Sequence, residues 1–175
     1  IELIQCAKEY DADIPFIRPD RLATSTAISY EVVFHAITEI DESYDIIVLL
    51  QPTSPLRLCD DIDIAIEMLE NSNSECVISV VMNDHPPDFN FTIDPNSILQ
   101  YISEKQEVGK RRQDYKETYR PNGAVYALYT ESLLKHKTFY PKNTTAYVMP
   151  KERSIDIDDE IDFKVAEYLL SNYKQ

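Results

Sequence analysis

At 175 residues, with 43% hydrophobic and 27% charged side chains, the chain has the size and make-up of one globular domain. A formal net charge of −14 excludes a basic face for a nucleic-acid backbone, so only local Arg and Lys clusters can receive an anion. No apolar run approaches the length that spans a membrane and no signal peptide is visible, so a cytoplasmic location is expected. The three cysteines, Cys6, Cys59 and Cys76, have neither metal nor redox-motif spacing and read as reduced thiols packed as small hydrophobes. With only Gly109 and Gly123 present, the chain contains no glycine-rich phosphate loop.

In chain order, Leu3, Ile4, Ala7 and Lys8 predict a short helix over residues 1–10. Ile14 to Arg18 (IPFIR) predicts a strand that Pro19 stops. Ile28, Val32, Val33, Ala36, Ile37 and Ile40 share one face of a helix over residues 27–40. The run DIIVLL, residues 45–50, predicts a strand buried on both faces. Asp60 is expected to cap a helix that reaches Glu70, and CVISVVM, residues 76–82, predicts a second buried strand. This αβαβαβ order predicts a parallel sheet with ligands at the carboxyl ends of the strands, in the loops after Arg18, Leu50 and Met82.

From about Asn83 to Pro121 the character changes. Pro86, Pro87 and Pro95 accompany short alternating runs and a charged stretch, as an insertion, lid or interaction arm would. Beyond it, GAVYALY (residues 123–129) predicts a strand, residues 131–135 a short helix and residues 145–149 another strand. A last helix is expected from Asp159 to about Tyr173.

Three strings carry candidate chemistry. LLQPTSPLR, Leu49 to Arg57, lies where an open α/β sheet puts a ligand loop, with Gln51, Thr53 and Ser54 offering polar groups between stiffening prolines. In SIDIDD, Ser154 to Asp159, alternation puts Asp156 and Asp158 on one face. Two such carboxylates suit Mg²⁺ brought in with a nucleotide triphosphate, or they cap the helix that follows, a role Asp159 fits best. YRPNGAVY, Tyr119 to Tyr126, follows Arg111 and Arg112, and arginine forks on an acidic protein receive a carboxylate or phosphate, or form a surface patch beside a turn. His35, His85 and His136 have no metal or triad spacing.

Together, and in this order, LLQPTSPLR, RPNGAVY and SIDID resemble the signatures of the acylneuraminate cytidylyltransferase family. Arg18-Pro19 with Leu22-Ala23 extends the likeness upstream, with Ser25 where an aspartate is usual. The resemblance implies a Rossmann-like, GT-A-like nucleotidyltransferase fold of three layers around a mainly parallel sheet. One domain would occupy residues 1–175, and an arm over residues 83–142 would serve dimerisation and the sugar site. It implies CTP and a nonulosonic acid as substrates, Mg²⁺ (or Mn²⁺) as cofactor, and a homodimer. Gln51, Asp156 and Asp158 would be catalytic, the two aspartates also holding the metal. Arg18 and Ser29 would contact the nucleotide. Arg112, Arg120, Asn122, Tyr126, Phe139 and Tyr140 would contact the sugar or the phosphates.

The family opens with a strand and a lysine-rich glycine loop that these residues do not contain. The expectation is therefore a chain lacking its first βα unit, weak or inactive by itself. A catalytically silent fragment or interaction module is the alternative of another class. The family also carries a lysine shortly after a His-Pro pair, whereas His85-Pro86-Pro87 here leads to Asp88. That departure raises legionaminic or pseudaminic acid beside N-acetylneuraminate, with Kdo activation a further alternative.

Overall fold

Residues Cys76–Met82 (β2) and Tyr119–Tyr129 (β5) form the centre of a four-stranded sheet because both are apolar on both faces. The protein is described by a computed structural model covering residues 2–24, 26–102 and 111–172, with Glu2 and Arg112 described by backbone alone. Ile46–Leu49 (β1) pairs with one edge of β5, and Thr144–Val148 (β6) pairs with the outer edge of β2, giving the order β1-β5-β2-β6. Strands β1, β2 and β6 point one way, and β5 runs against them between β1 and β2.

Three of the four strands share one direction, as the expected mainly parallel sheet requires, and the insertion of β5 departs only from the all-parallel order of the first elements. Two further expectations fail. Residues 14–18 form no strand. Strand β1 is only half-buried along its length, since its apolar run pairs with a single described neighbour. The remaining elements fall close to their expected positions.

Alternation along β2 and β5 sorts the core into two clusters. Val77, Ala124, Val125 and Ala127 pack with Ala65 and Leu69 of helix α3 (Cys59–Glu70) on one face. Ile78, Tyr126 and Leu128 pack on the other with Leu133 of α4 (Thr130–His136) and with Tyr30, Val33 and Ile37 of α2 (Ser29–Glu39). The result is three layers. Fully buried side chains such as Leu69, Val77 and Leu133 each contribute about 1.5–3 kcal/mol by leaving water. Of the cysteines only Cys76 is packed this way, and Cys6 and Cys59 are exposed. Burial pushes the Cys76 thiol up to about 12.

Helix α1 (Glu2–Glu9) precedes this core, and α5 (Glu160–Asn172) follows β6. Between β2 and β5, strands β3 (Phe91–Ile93) and β4 (Leu99–Tyr101) pair as a separate hairpin. The carboxyl ends of β1, β2 and β6 and the amino end of β5 all lie at one margin of the sheet, because Met82 faces Tyr119. All three sequence strings lead from or into that margin.

Candidate active site

Gly123 is where the strings meet. It has φ +76, and a Cβ there would lie 2.3 Å from Gln51 Oε1 and 2.6 Å from Ser54 Oγ. Only glycine allows β5 to approach the β1–α3 loop so closely. The loop is then pinned along its length. Gln51 donates its amide to the Gly123 carbonyl (3.3 Å), and Ser54 Oγ donates to the Asn122 carbonyl (2.9 Å). Arg57 spans the junction, with Nη1 on the Ala124 carbonyl (2.7 Å) and Nη2 on the Gln51 carbonyl (2.8 Å).

Asn122 extends this junction to the acidic segment. Its side chain, expected at the substrate, is fully buried. Its Oδ1 accepts from Ser79 Oγ (2.6 Å) and from the Ala124 amide (3.2 Å). Its Nδ2 donates to Ser154 Oγ (2.8 Å) and toward Met149 Sδ (3.3 Å). The opposing strand is irregular here, with the β2–β5 register shifting between Ile78 and Val80, so the Ser79 hydroxyl also accepts the Val125 amide at 2.7 Å. A buried amide with every position filled fixes geometry rather than binding a ligand.

The acidic segment lies against the same loop, since the Ile157 amide donates to the Thr53 carbonyl at 2.8 Å. Asp159 takes the capping role, its Oδ1 accepting the amides of Ile161 (2.7 Å) and Asp162 (3.1 Å). Asp162 accepts the amides of Asp158 and Asp159. Caps are thereby supplied without the carboxylates of Asp156, half-buried, and Asp158, exposed. Among the described residues no three His, Cys, Asp or Glu side chains cluster around one point. Two carboxylates in an extended, anchored segment are hard oxygen donors of the kind that would suit a divalent cation.

Two adjoining cavities of about 240 Å³ each flank Gln51 and share Ser29 and Leu49. One is lined by Arg18, Thr24 and Pro52, and so gathers the two residues expected at the nucleotide. The other is walled by Tyr126, Phe139 and Tyr140, the aromatic set expected at the sugar. Tyr126 meets both other rings edge-on, with centroids 5.9 and 6.2 Å away. Burial, the Tyr140 hydroxyl at 3.4 Å and the charge of Asp156 push the Tyr126 phenol up, so it stays a neutral donor. Arg120 is exposed at the amino end of β5, opposite Val81, outside both linings. The Arg112 side chain, Ser25 and Gly109 lie outside the described atoms.

No family model matches the chain. It is 35% identical over 161 residues to an N-acylneuraminate cytidylyltransferase of Escherichia coli, covering 91% of this chain and 38% of that protein. Over most of its length the chain is thus similar to acylneuraminate cytidylyltransferases. A second relative, a CMP-N,N'-diacetyllegionaminic acid synthase of Legionella pneumophila, is 28% identical over 176 residues, covering 97% of this chain and 74% of that protein. The chain thus spans well under half of the first of these relatives and about three quarters of the second. The fold is shared with the crystal structure of 4-diphosphocytidyl-2C-methyl-D-erythritol synthase from Anaerococcus prevotii. There the TM-score is 0.62 at 11% identity, over 98% of this chain and 77% of that one.

Sequence reasoning missed Ser79, Arg57 and Asp61. Asp61 is buried and holds Arg153 Nη2 (2.8 Å), the Tyr147 hydroxyl (2.7 Å) and the Leu58 amide (2.7 Å). It therefore caps α3, the part expected of Asp60, and ties down the residue just before Ser154. A signal existed. Asp61 falls in line with the buried Ala65 and Leu69 at helical spacing, and Ser79 interrupts an apolar strand.

Proposed function

We propose that this chain forms the sugar-activating part of a nucleotidyltransferase that joins CTP to a nonulosonic acid, releasing pyrophosphate and giving the CMP-sugar. The observation that carries this reading is the convergence at Gly123. Three strings far apart in sequence are hydrogen-bonded into one cradle, with an aromatic cavity on one side of Gln51 and an Arg18-lined cavity on the other.

The anomeric hydroxyl of the sugar attacks the α-phosphorus in line with the leaving pyrophosphate, so an O–P bond forms as the bond to pyrophosphate breaks. Positioning is the main demand of such a step. Gln51 stands between the two cavities and orients the sugar toward the nucleotide. Asp156, whose charge reaches Tyr126, lies on the sugar side and takes the hydroxyl proton. Tyr126, Phe139 and Tyr140 enclose the ring, Arg18 and Ser29 face the nucleotide, and Arg112 and Arg120 add positive charge from the arm. Asp156 and Asp158 would hold a divalent cation, which when bound would neutralise charge on the triphosphate.

The same reading carries a cytoplasmic homodimer paired through residues 83–142. The hairpin supports it, since Phe91, Ile93, Leu99 and Tyr101 are all exposed. Among the described residues no helix is long and apolar enough to cross a membrane. The test is pyrophosphate release by the intact protein with CTP or GTP against a panel of N-acetylneuraminic, legionaminic, pseudaminic and Kdo acids. CTP-dependent release with a nonulosonic acid is expected, and silence across the panel overturns the reading. Asp156→Asn should lower kcat by about 100-fold or more, as loss of a positioned base does.

A further inference from the structure

Charge separates the two cavities beside Gln51 from others on the molecule. The larger cavity between α2 and β1, about 530 Å³, is rimmed by Asp41 and Glu42, and the one under the arm, about 440 Å³, by Asp84 and Glu117. Among the described residues, the two beside Gln51 contain no carboxylate in their linings. Each contains one cation, Arg18 in one and Lys137 in the other. In a chain with 31 acidic and 17 basic residues, such a pair of linings is a selective place for anions.

Lys137 stands out from its neighbours. Lys135 and His136 both reach Glu75, at 3.9 and 3.0 Å, whereas Lys137, exposed, lines the aromatic cavity and makes no ion pair among the described residues. Its backbone is left-handed, φ 53 and ψ 34, at the end of α4, with its amide donating to the Leu133 carbonyl at 2.9 Å. Glycine or asparagine closes a helix this way with less strain, so lysine here sacrifices backbone comfort. The turn it makes delivers Thr138, Phe139 and Tyr140 to the same cavity.

We propose that Lys137 is a specificity-determining contact whose ammonium pairs with the carboxylate of the sugar acid in the Tyr126–Tyr140 cavity. This rests on the proposed function and names the group the cavity selects. Arg18, beyond Ser29 and Gln51, serves the nucleotide, so the two cations keep two anions apart on either side of Gln51. A lysine is suited to the task as a compact point charge that forms charge-assisted hydrogen bonds to a carboxylate.

The experiment is steady-state kinetics and thermal unfolding of the intact protein with Lys137 replaced by Asn, Arg or Glu. Lys137→Asn should raise KM for the sugar acid about tenfold or more. Its KM for CTP should stay within about twofold and its Tm should not fall, because asparagine accepts the left-handed backbone. Lys137→Arg should restore most of the sugar affinity, and Lys137→Glu should weaken it further. An unchanged sugar KM in Lys137→Asn, or an equal rise in both KM values, overturns the proposal. If the unsubstituted protein turns over no acid, the function reading fails, and calorimetric titration with N-acetylneuraminic and legionaminic acids decides the role of Lys137. Loss of acid binding in Lys137→Asn supports it, and absent binding or equal binding by both proteins overturns it.

Discussion

The Gly123 cradle and the β3–β4 hairpin reverse the usual distribution of side chains in opposite senses. In the cradle, Ser54, Ser79, Asn122 and Ser154 are buried. In the hairpin, every strand residue is exposed, including Phe91, Ile93, Leu99 and Tyr101. The cradle withdraws polar groups from water and satisfies them internally, which fixes distances between three chain segments. The hairpin leaves apolar groups in water. Precision is built in the first region, and the proposed association would fall to the second.

Substitutions should separate the two. The largest expected effect on stability is Asn122→Ala, which strands Ser79, Ser154 and the Ala124 amide. It should cost about 3 kcal/mol in urea unfolding, the sum expected of several buried hydrogen bonds. Gly123→Ala should cost about 2–3 kcal/mol, because φ +76 strains an alanine and Ser54 Oγ must give up its bond to the Asn122 carbonyl, while the Gln51 side chain can swing away. Its catalytic loss should be about 100-fold in kcat/KM, since Gln51 is then misplaced. A Gly123→Ala protein with normal turnover would remove Gln51 from the centre of the site.

A third comparison uses pH. The Cys76 thiol is pushed up to about 12 in the folded protein from its ordinary 9.0, and Tyr147 to about 12 from 10.0 by burial and then by Asp61. Both groups keep their protons in the folded state after the unfolded chain has lost them. Stability should therefore be full below pH 9 and fall as pH rises from 9 toward 12. Cys76→Ala should lower the plateau yet flatten that decline, as read from urea midpoints across the alkaline range. The smallest effect belongs to the hairpin. Replacing Ile93 and Leu99 by Ser should change stability by no more than about 0.5 kcal/mol while shifting the sedimentation of the intact protein toward monomer. A large loss of stability would mean that these residues belong to the core.

Much of this was legible in the sequence. The three strings were readable as chemistry because long strings carry their own specificity, and the aromatic set gathered as expected around one cavity. The direction of β5 was not legible, since GAVYALY reports burial on both faces and is silent about which neighbour it pairs with. The burial of Asn122 was hidden for a related reason. An asparagine before a glycine reads as an exposed turn, and only the packed neighbours Ser79 and Ser154 turn it into an interior bond hub. Lys137 carried no signal, because its significance lies in a backbone angle and in the carboxylates missing around it.

The position of β5 between β1 and β2 also governs how the protein is made. Both flanking strands leave the ribosome first, and neither has its partner until the segment 119–129 follows them. The Ser54–Asn122 bond joins residues 68 apart in sequence, and the Thr130–Tyr44 bond joins residues 86 apart. Loops of this length must close before the sheet gains anything, so the domain should fold slowly and late in synthesis. Until then the apolar edges of β1 and β2 are open templates for other chains, and expression yield should depend on the residence time of that intermediate.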